Sequence, residues 1–213
     1  IGILTRFYHP FDECSRENFP KVFKQHSIMG NHPNPKTSHV ARIVPGWMNC
    51  SYWDLVGRHE YKRSANRMIQ RWLTSTLTQG NLDAADANST PPRPVQRIVV
   101  ASEKYKRQHA VYRCYHSRIR ALRDHFETIL VTCAKDYDEA AAEDFTDVIE
   151  VSENLTDIND TIAAILGCEP DLIFYPSLGM SSWTIATANV RLAPIQLMSY
   201  GHPASAFTDT IDF

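Results

Sequence analysis

The 213-residue chain lacks the glycine-rich signatures of the commonest nucleotide sites. Its 8 glycines form neither Gly-x-Gly-x-x-Gly nor Gly-x-x-x-x-Gly-Lys-Ser/Thr, which removes the main support for a dinucleotide fingerprint or a P-loop. A Gly-x-Ser-x-Gly elbow is missing too, which argues against a serine hydrolase. The 5 cysteines (Cys14, Cys50, Cys114, Cys133 and Cys168) are scattered, odd in number and never spaced Cys-x-x-Cys, so they read as reduced thiols and not as a disulfide framework. No apolar run approaches the roughly 18 residues of a membrane-spanning helix. Nothing at the start resembles a signal peptide, so the expected location is the cytoplasm. The glycosylation triplets at Asn49, Asn88 and Asn154 are then chance matches. An excess of one charge is also lacking. Against 22 Lys and Arg stand 24 Asp and Glu, and a net charge of −2 gives no case for bulk attraction to nucleic acid or membrane.

What is present is an ordinary globular composition, 43% hydrophobic and 22% charged, enough for one or two domains with a real core. The chain begins at Ile1, as expected of an expressed or processed piece. Residues 1–80 read as a mostly helical, irregular subdomain. Leu55, Met68, Ile69, Trp72 and Leu73 have helical spacing within 52–77, and 29–39 is turn chemistry. His26, His32 and His39 have no Cys or acidic partner at ligand spacing and read as loop histidines, not a metal site. Residues 81–96, with three prolines and almost no large apolar side chain, read as a linker. Beyond it, short β-branched runs at 98–101, 128–132, 148–151, 172–175 and 195–200 alternate with helical stripes at 104–123 and 154–166. That alternation predicts an α/β domain over 97–213, a Rossmann-like parallel sheet with helices on both faces. The acidic run at 136–144 reads as solvated surface and not as a carboxylate metal site.

The densest signal is 170–213. A buried strand runs into Pro176-Ser177-Leu178-Gly179, an apolar segment follows over 180–192, and a second strand leads to Gly201-His202-Pro203-Ala204. Ligands of parallel sheets sit outside the carboxyl ends of the strands, so both turns are expected at one crevice. Ser177, Gly179 and Met180 would let backbone N–H groups approach an anion at the helix start; the plain alternative is a tight βα turn. Gly201 permits close approach and Pro203 stiffens the exit, presenting the His202 imidazole in a fixed direction; the alternative is a capped turn with a surface histidine. Over 104–123 there are seven basic residues and no acidic one. This stretch is either a helix with an apolar seam and a solvated basic face, or it lines the crevice with His109 and His116 facing ligand.

The run PSLGMSSWTI…NVRLAPIQLMSYGHPAS resembles the hallmark of glycosyltransferase family 41. The nearer likeness is to the bacterial cytoplasmic enzymes that glucosylate asparagines of large adhesins. The more distant one is to the O-linked N-acetylglucosaminyltransferases, which share the RLAPIQ core before a glycine-led turn. The likeness spans 97–213 and implies the acceptor-side, N-terminal half of a two-domain GT-B fold, with the second, nucleotide-binding domain outside this chain. The implied activity is inverting transfer of a hexose from a UDP-sugar to a protein side chain, Asn or Ser/Thr, with no required metal or other cofactor. The implied partners are the UDP-sugar donor and an acceptor protein or peptide, with no nucleic acid and no membrane span. His202, His109 and His116 become candidate catalytic residues. Tyr112, Arg113, Ser177, Gly179, Met180, Gly201, Pro203 and Ala204 become candidate binding residues. Phe207 stands near a place where bacterial members carry a further histidine. A non-catalytic α/β domain that holds a nucleotide or peptide in the same crevice is the alternative reading.

Overall fold

The computed structural model describes residues 17, 20, 21, 23–88, 94–200 and 204–213. Contacts divide the chain into two compact units, Ile1–Thr76 with Pro203–Thr208, and Leu77–His202 with Asp209–Phe213.

The first unit is helical, with α1 (His26–Gly30), α2 (Thr37–Asn49), a 3-10 turn at Cys50–Tyr52, and α3 (Glu60–Thr76). One stripe of α3 (Tyr61, Ala65, Met68, Ile69, Trp72 and Leu73) is buried, as are Met29 of α1 and Val40, Ile43 and Trp47 of α2, the two helices it packs on. Gly46 admits the Tyr61 ring: a Cβ there would lie 2.5 Å from the phenol oxygen, which donates to Ile43 O at 3.1 Å. The helix expected over 52–77 begins only at Glu60, because Gly57 turns the chain at φ +74°. The turn chemistry expected over 29–39 is shorter: only 31–36 is non-helical, and Thr37 starts α2 with His39 Nδ1 accepting from Lys36 N at 3.2 Å. His32 and His39 stack at 4.8 Å, and His26 Nδ1 meets Ser64 Oγ at 2.8 Å.

The second unit opens with a correction. Residues 81–96 are expected as linker, yet Gln79–Ala87 forms helix α4. Thr78 Oγ1 caps it by accepting from Asn81 N at 3.3 Å, and Asn81 Nδ2 donates to Asn159 O at 3.1 Å. Three alanines, at 84, 85 and 87, favour helix without building an apolar stripe, since Leu82 is the one large apolar side chain of the segment. The remainder of that stretch, 89–93, lies outside the described residues.

Five parallel strands then form one sheet: β1 (Arg97–Ala101), β2 (Glu127–Thr132), β3 (Asp147–Glu150), β4 (Leu172–Tyr175) and β5 (Ile195–Met198). Their order is β3-β2-β1-β4-β5, with Val99 paired to Ile129 on one side and Ile173 on the other. The connecting helices are α5 (Ala110–Arg123), α6 (Glu139–Ala142), α7 (Ile158–Gly167) and α8 (Ser182–Thr187). Val111 and Ile119 of α5 pack on Ile98, Val100 and Leu130. The opposite side, with Val99, Val131, Ile173 and Tyr175, is closed as well, and the Tyr175 hydroxyl reaches Thr187 of α8 at 3.5 Å. Burial on both faces explains the unbroken apolar strands. The α/β architecture with a preceding helical part is the one expected from the sequence.

The RLAPIQ run holds β5 in place. Gln196 accepts from Leu192 N at 2.7 Å through Oε1 and donates to Thr210 O at 2.8 Å through Nε2. Arg191 pairs with Asp212 at 2.7 Å, and Asp212 Oδ2 accepts from Gln196 N at 2.8 Å. The motif therefore braces β5 against the chain end.

Candidate functional site

After β1 the chain turns to one side of the sheet, and after β3 it crosses to the other. The reversal falls between β1 and β4, where an open α/β sheet has its natural crevice. The loops after these two strands meet there through one side chain. Glu103, fully buried, accepts from the backbone N–H groups of Gly179, Met180 and Ser181 at 2.9, 2.8 and 2.9 Å. Thr184 Oγ1 also donates to it, and Ser177 Oγ donates at 3.2 Å. Gly179 has φ +131°, a conformation open to glycine, and this aims successive N–H groups at one point. Burial pushes the Glu103 carboxyl above its usual range, while the bonds from Thr184, Gly179, Ser181 and Ser177 oppose the shift.

The N–H groups expected to face an external anion are thus taken by an internal carboxylate. Ser177 and Gly179 are buried, and Met180 alone of the three is exposed, at 40%. Glu103 had no signal of its own in the sequence, since a single acidic residue two positions after a strand belongs to no periodic pattern.

His109 is the N-cap of α5, its Nδ1 accepting from Val111 N at 3.3 Å. Burial lowers its pKa, with Lys104 and Arg113 acting in the same direction and Asp136 against them. The neutral ring therefore carries its proton on Nε2 and is a hydrogen-bond donor from that atom. His116 is held the other way round. Its Nδ1 donates to Tyr112 O at 3.0 Å, and the ring stacks on Tyr112 at 4.7 Å. The two histidines are seven residues apart, about 10 Å along the helix axis. Arg113 is exposed and its guanidinium donates to Gln108 O. One contact went unread in the sequence: Tyr115 Oη and Ser199 Oγ lie 2.8 Å apart, joining α5 to the end of β5 two residues before Gly201. Gly201, His202 and Pro203 lie outside the described residues. Ala204 is half-buried and groups with the first unit.

The basic stretch 104–123 does not stand free. Lys104 pairs with Asp136, the Arg107 guanidinium donates to Ala140 O at 3.1 Å, and Arg120 holds the buried Asp144 with bonds of 2.9 and 2.6 Å. Tyr105 adds a 3.0 Å bond to Asp144. The acidic run expected to be solvated is therefore the counter-charge of the basic one, and several of these cations face it and not the crevice. Among the described residues no group of three or more His, Cys, Asp or Glu is arranged to hold a metal ion. Among the same residues no helix is long and apolar enough to cross a membrane.

No family model matches the chain. Two curated relatives from Actinobacillus pleuropneumoniae, in serotype 5b (strain L20) and serotype 7 (strain AP76), are each named UDP-glucose:protein N-β-glucosyltransferase. They are 31% and 30% identical over 197 residues, covering 92% of this chain and 30% of their own length. Among solved structures, the K341M mutant of an O-GlcNAc transferase from Thermobaculum terrenum matches 93% of this chain and 39% of its own with a TM-score of 0.53. At 14% identity that likeness speaks for the fold alone. The chain thus spans about a third of the length of the relatives it matches. Across most of its own length it is a homologue of UDP-glucose:protein N-β-glucosyltransferases, in keeping with its resemblance to glycosyltransferase family 41.

Proposed function

We propose that this chain is the acceptor-side part of an inverting, GT-B-type cytoplasmic glycosyltransferase that moves a hexose from a UDP-sugar to a protein side chain. The observation that carries the reading is the coincidence of two things. The turn after β4, which holds part of the family-like run, follows a strand that borders the switch point between β1 and β4, where the topology of the sheet sets its crevice. The relatives' printed names supply the donor and acceptor classes.

The chemistry is a single displacement. A side-chain nitrogen or oxygen of the acceptor attacks the anomeric carbon, the bond from that carbon to the phosphate oxygen breaks, and UDP leaves with the bonding pair while the acceptor gives up a proton. Negative charge grows on the leaving phosphate and requires donors. His109 is suited to donate through Nε2–H, and the Nδ1 of His116 is engaged with Tyr112 O, so that Nε2 is the ring atom left for a further contact. The turn 179–181 is not available as a phosphate cradle, because Glu103 fills it. On this reading the diphosphate is held mainly by a second domain, and a divalent cation is dispensable. Slight net acidity and the internal pairing of the basic stretch support a protein partner over a nucleic acid.

The full-length protein, incubated with a panel of UDP-sugars and with peptides containing Asn or Ser/Thr, is expected to yield glycosylated peptide detectable by mass spectrometry. Absence of product with every pair would contradict the proposal. In the same assay, chelation of divalent cations should leave the rate within about twofold. A loss of tenfold or more, restored by added cation, would show that a metal neutralises the leaving group.

A further inference from the structure

The segment that follows Gly201-His202-Pro203 is held in an unusual way. Residues 204–208 group with the helical unit. Three consecutive carbonyls there are gripped by two side chains one turn apart on α3. Lys62 Nζ donates to Ser205 O at 3.1 Å, and Asn66 Nδ2 donates to Ala206 O at 2.9 Å and Phe207 O at 2.8 Å. Asn66 is itself oriented by Trp47, whose Nε1–H donates to its Oδ1 at 2.8 Å. The amine of Lys62 lies 4.0 Å from the centre of the Trp47 ring.

This grip is disfavoured in two respects. Lys62 is fully buried, and burial lowers its amine to about 8, although an apolar residue of similar volume would fill the same space without desolvating a charge. Phe207 has φ +55°, a left-handed conformation that a bulky residue adopts only where its surroundings enforce it. Its ring lies 5.2 Å from that of His59 and 4.8 Å from the Arg63 guanidinium carbon. A segment that merely closed a core would need neither a buried amine nor a strained aromatic. Together they specify the path of the backbone.

We infer that Lys62 and Asn66 are positioning residues for the proposed transfer reaction, fixing the course of the chain directly after the Gly201-His202-Pro203-Ala204 motif. The inference rests on the functional reading above. Neither side chain is assigned contact with substrate; both act through the carbonyls of 205–207.

Two variants of the full-length protein separate position from stability. Lys62→Met keeps the stem over Trp47 and deletes the donor. Asn66→Asp keeps the acceptor for Trp47 and turns an oxygen toward the carbonyls of Ala206 and Phe207. Hydrogen exchange read by mass spectrometry should quicken about tenfold in the peptide covering 204–210 while the strands stay protected. Turnover should fall by roughly tenfold or more, with the KM for the UDP-sugar changed by less than about threefold. Unchanged exchange in both variants would overturn the inference, as would faster exchange with normal turnover. A drop in melting temperature of more than about 10 °C in both would mark a purely structural role and overturn it as well. Failure of the wild-type protein to transfer any sugar would refute the functional reading, and the catalytic half of the inference with it. Unchanged exchange beside an active wild type refutes the inference alone.

Discussion

Replacing Glu103 with leucine in the full-length protein should cost about 4 kcal/mol or more, a large part of the stability of an ordinary domain. The carboxylate accepts three backbone N–H groups and two hydroxyls, all within the buried floor of the crevice. Leucine would leave those donors buried and unmatched, and each lost partner costs roughly 1–3 kcal/mol. Glu103→Gln is the instructive contrast. Its amide oxygen accepts the same N–H groups, and its nitrogen meets Ser177, whose oxygen can accept. The sign of the pH effect follows from the direction of the shift. A carboxyl raised in the folded state binds its proton more tightly there than in the unfolded chain. Its contribution to stability is therefore greatest in acid and is lost as pH rises from the usual 4.5 through the folded value. The glutamine variant should flatten that dependence and match or exceed the wild type above neutrality. Urea unfolding at several pH values is the check. A leucine variant as stable as the wild type would show that the carboxylate does not hold the crevice.

His202→Ala in the full-length protein should lower turnover by roughly 10²–10⁴ without lowering the melting temperature. The motivation is its place four residues beyond Met198, the last residue of β5, in a parallel sheet whose ligands bind beyond that end. The proline after it restricts the backbone of His202 itself, which limits the directions the imidazole can take, and the glycine before it permits close approach. An imidazole there is suited to donate to the developing charge on the leaving phosphate or to take the acceptor's proton. If His202 only shaped the turn, turnover would fall less than about threefold, and chiefly through lost stability. Rates and melting curves on one preparation distinguish the cases, and near-normal turnover with unchanged melting would remove His202 from the site.

The strands were legible because the sheet is buried on both sides. Ile98, Val99 and Val100 can be apolar in succession only in such a sheet, and the same holds at 129–131 and 172–175. Helix α4 was illegible for the complementary reason. It lies on the surface, buries Ala85 and little else, and so carries no stripe to read. The RLAPIQ run announced itself as a motif, but its role as a brace depends on Thr210 and Asp212, which sequence order alone does not bring to it. Glu103 illustrates the limit most clearly. The turn at 176–181 reads as an anion cradle from its residue types, and it is one; that the anion belongs to the chain itself follows only from the adjacency of β1 and β4. The pairing of the basic stretch with the acidic run likewise emerges only when the loop after β1 meets the loop after β2, as in the bridge between Tyr105 and Tyr137.

The most direct test of the central claim is the configuration of the product. The full-length protein should transfer glucose from UDP-glucose to an asparagine-containing peptide with one UDP released per sugar. Nuclear magnetic resonance of the purified glycopeptide should show a β-linked anomeric carbon, inverted from the α-linked donor. An α-linked product would contradict the single displacement, and UDP release without any sugar on the peptide would contradict protein glycosylation itself.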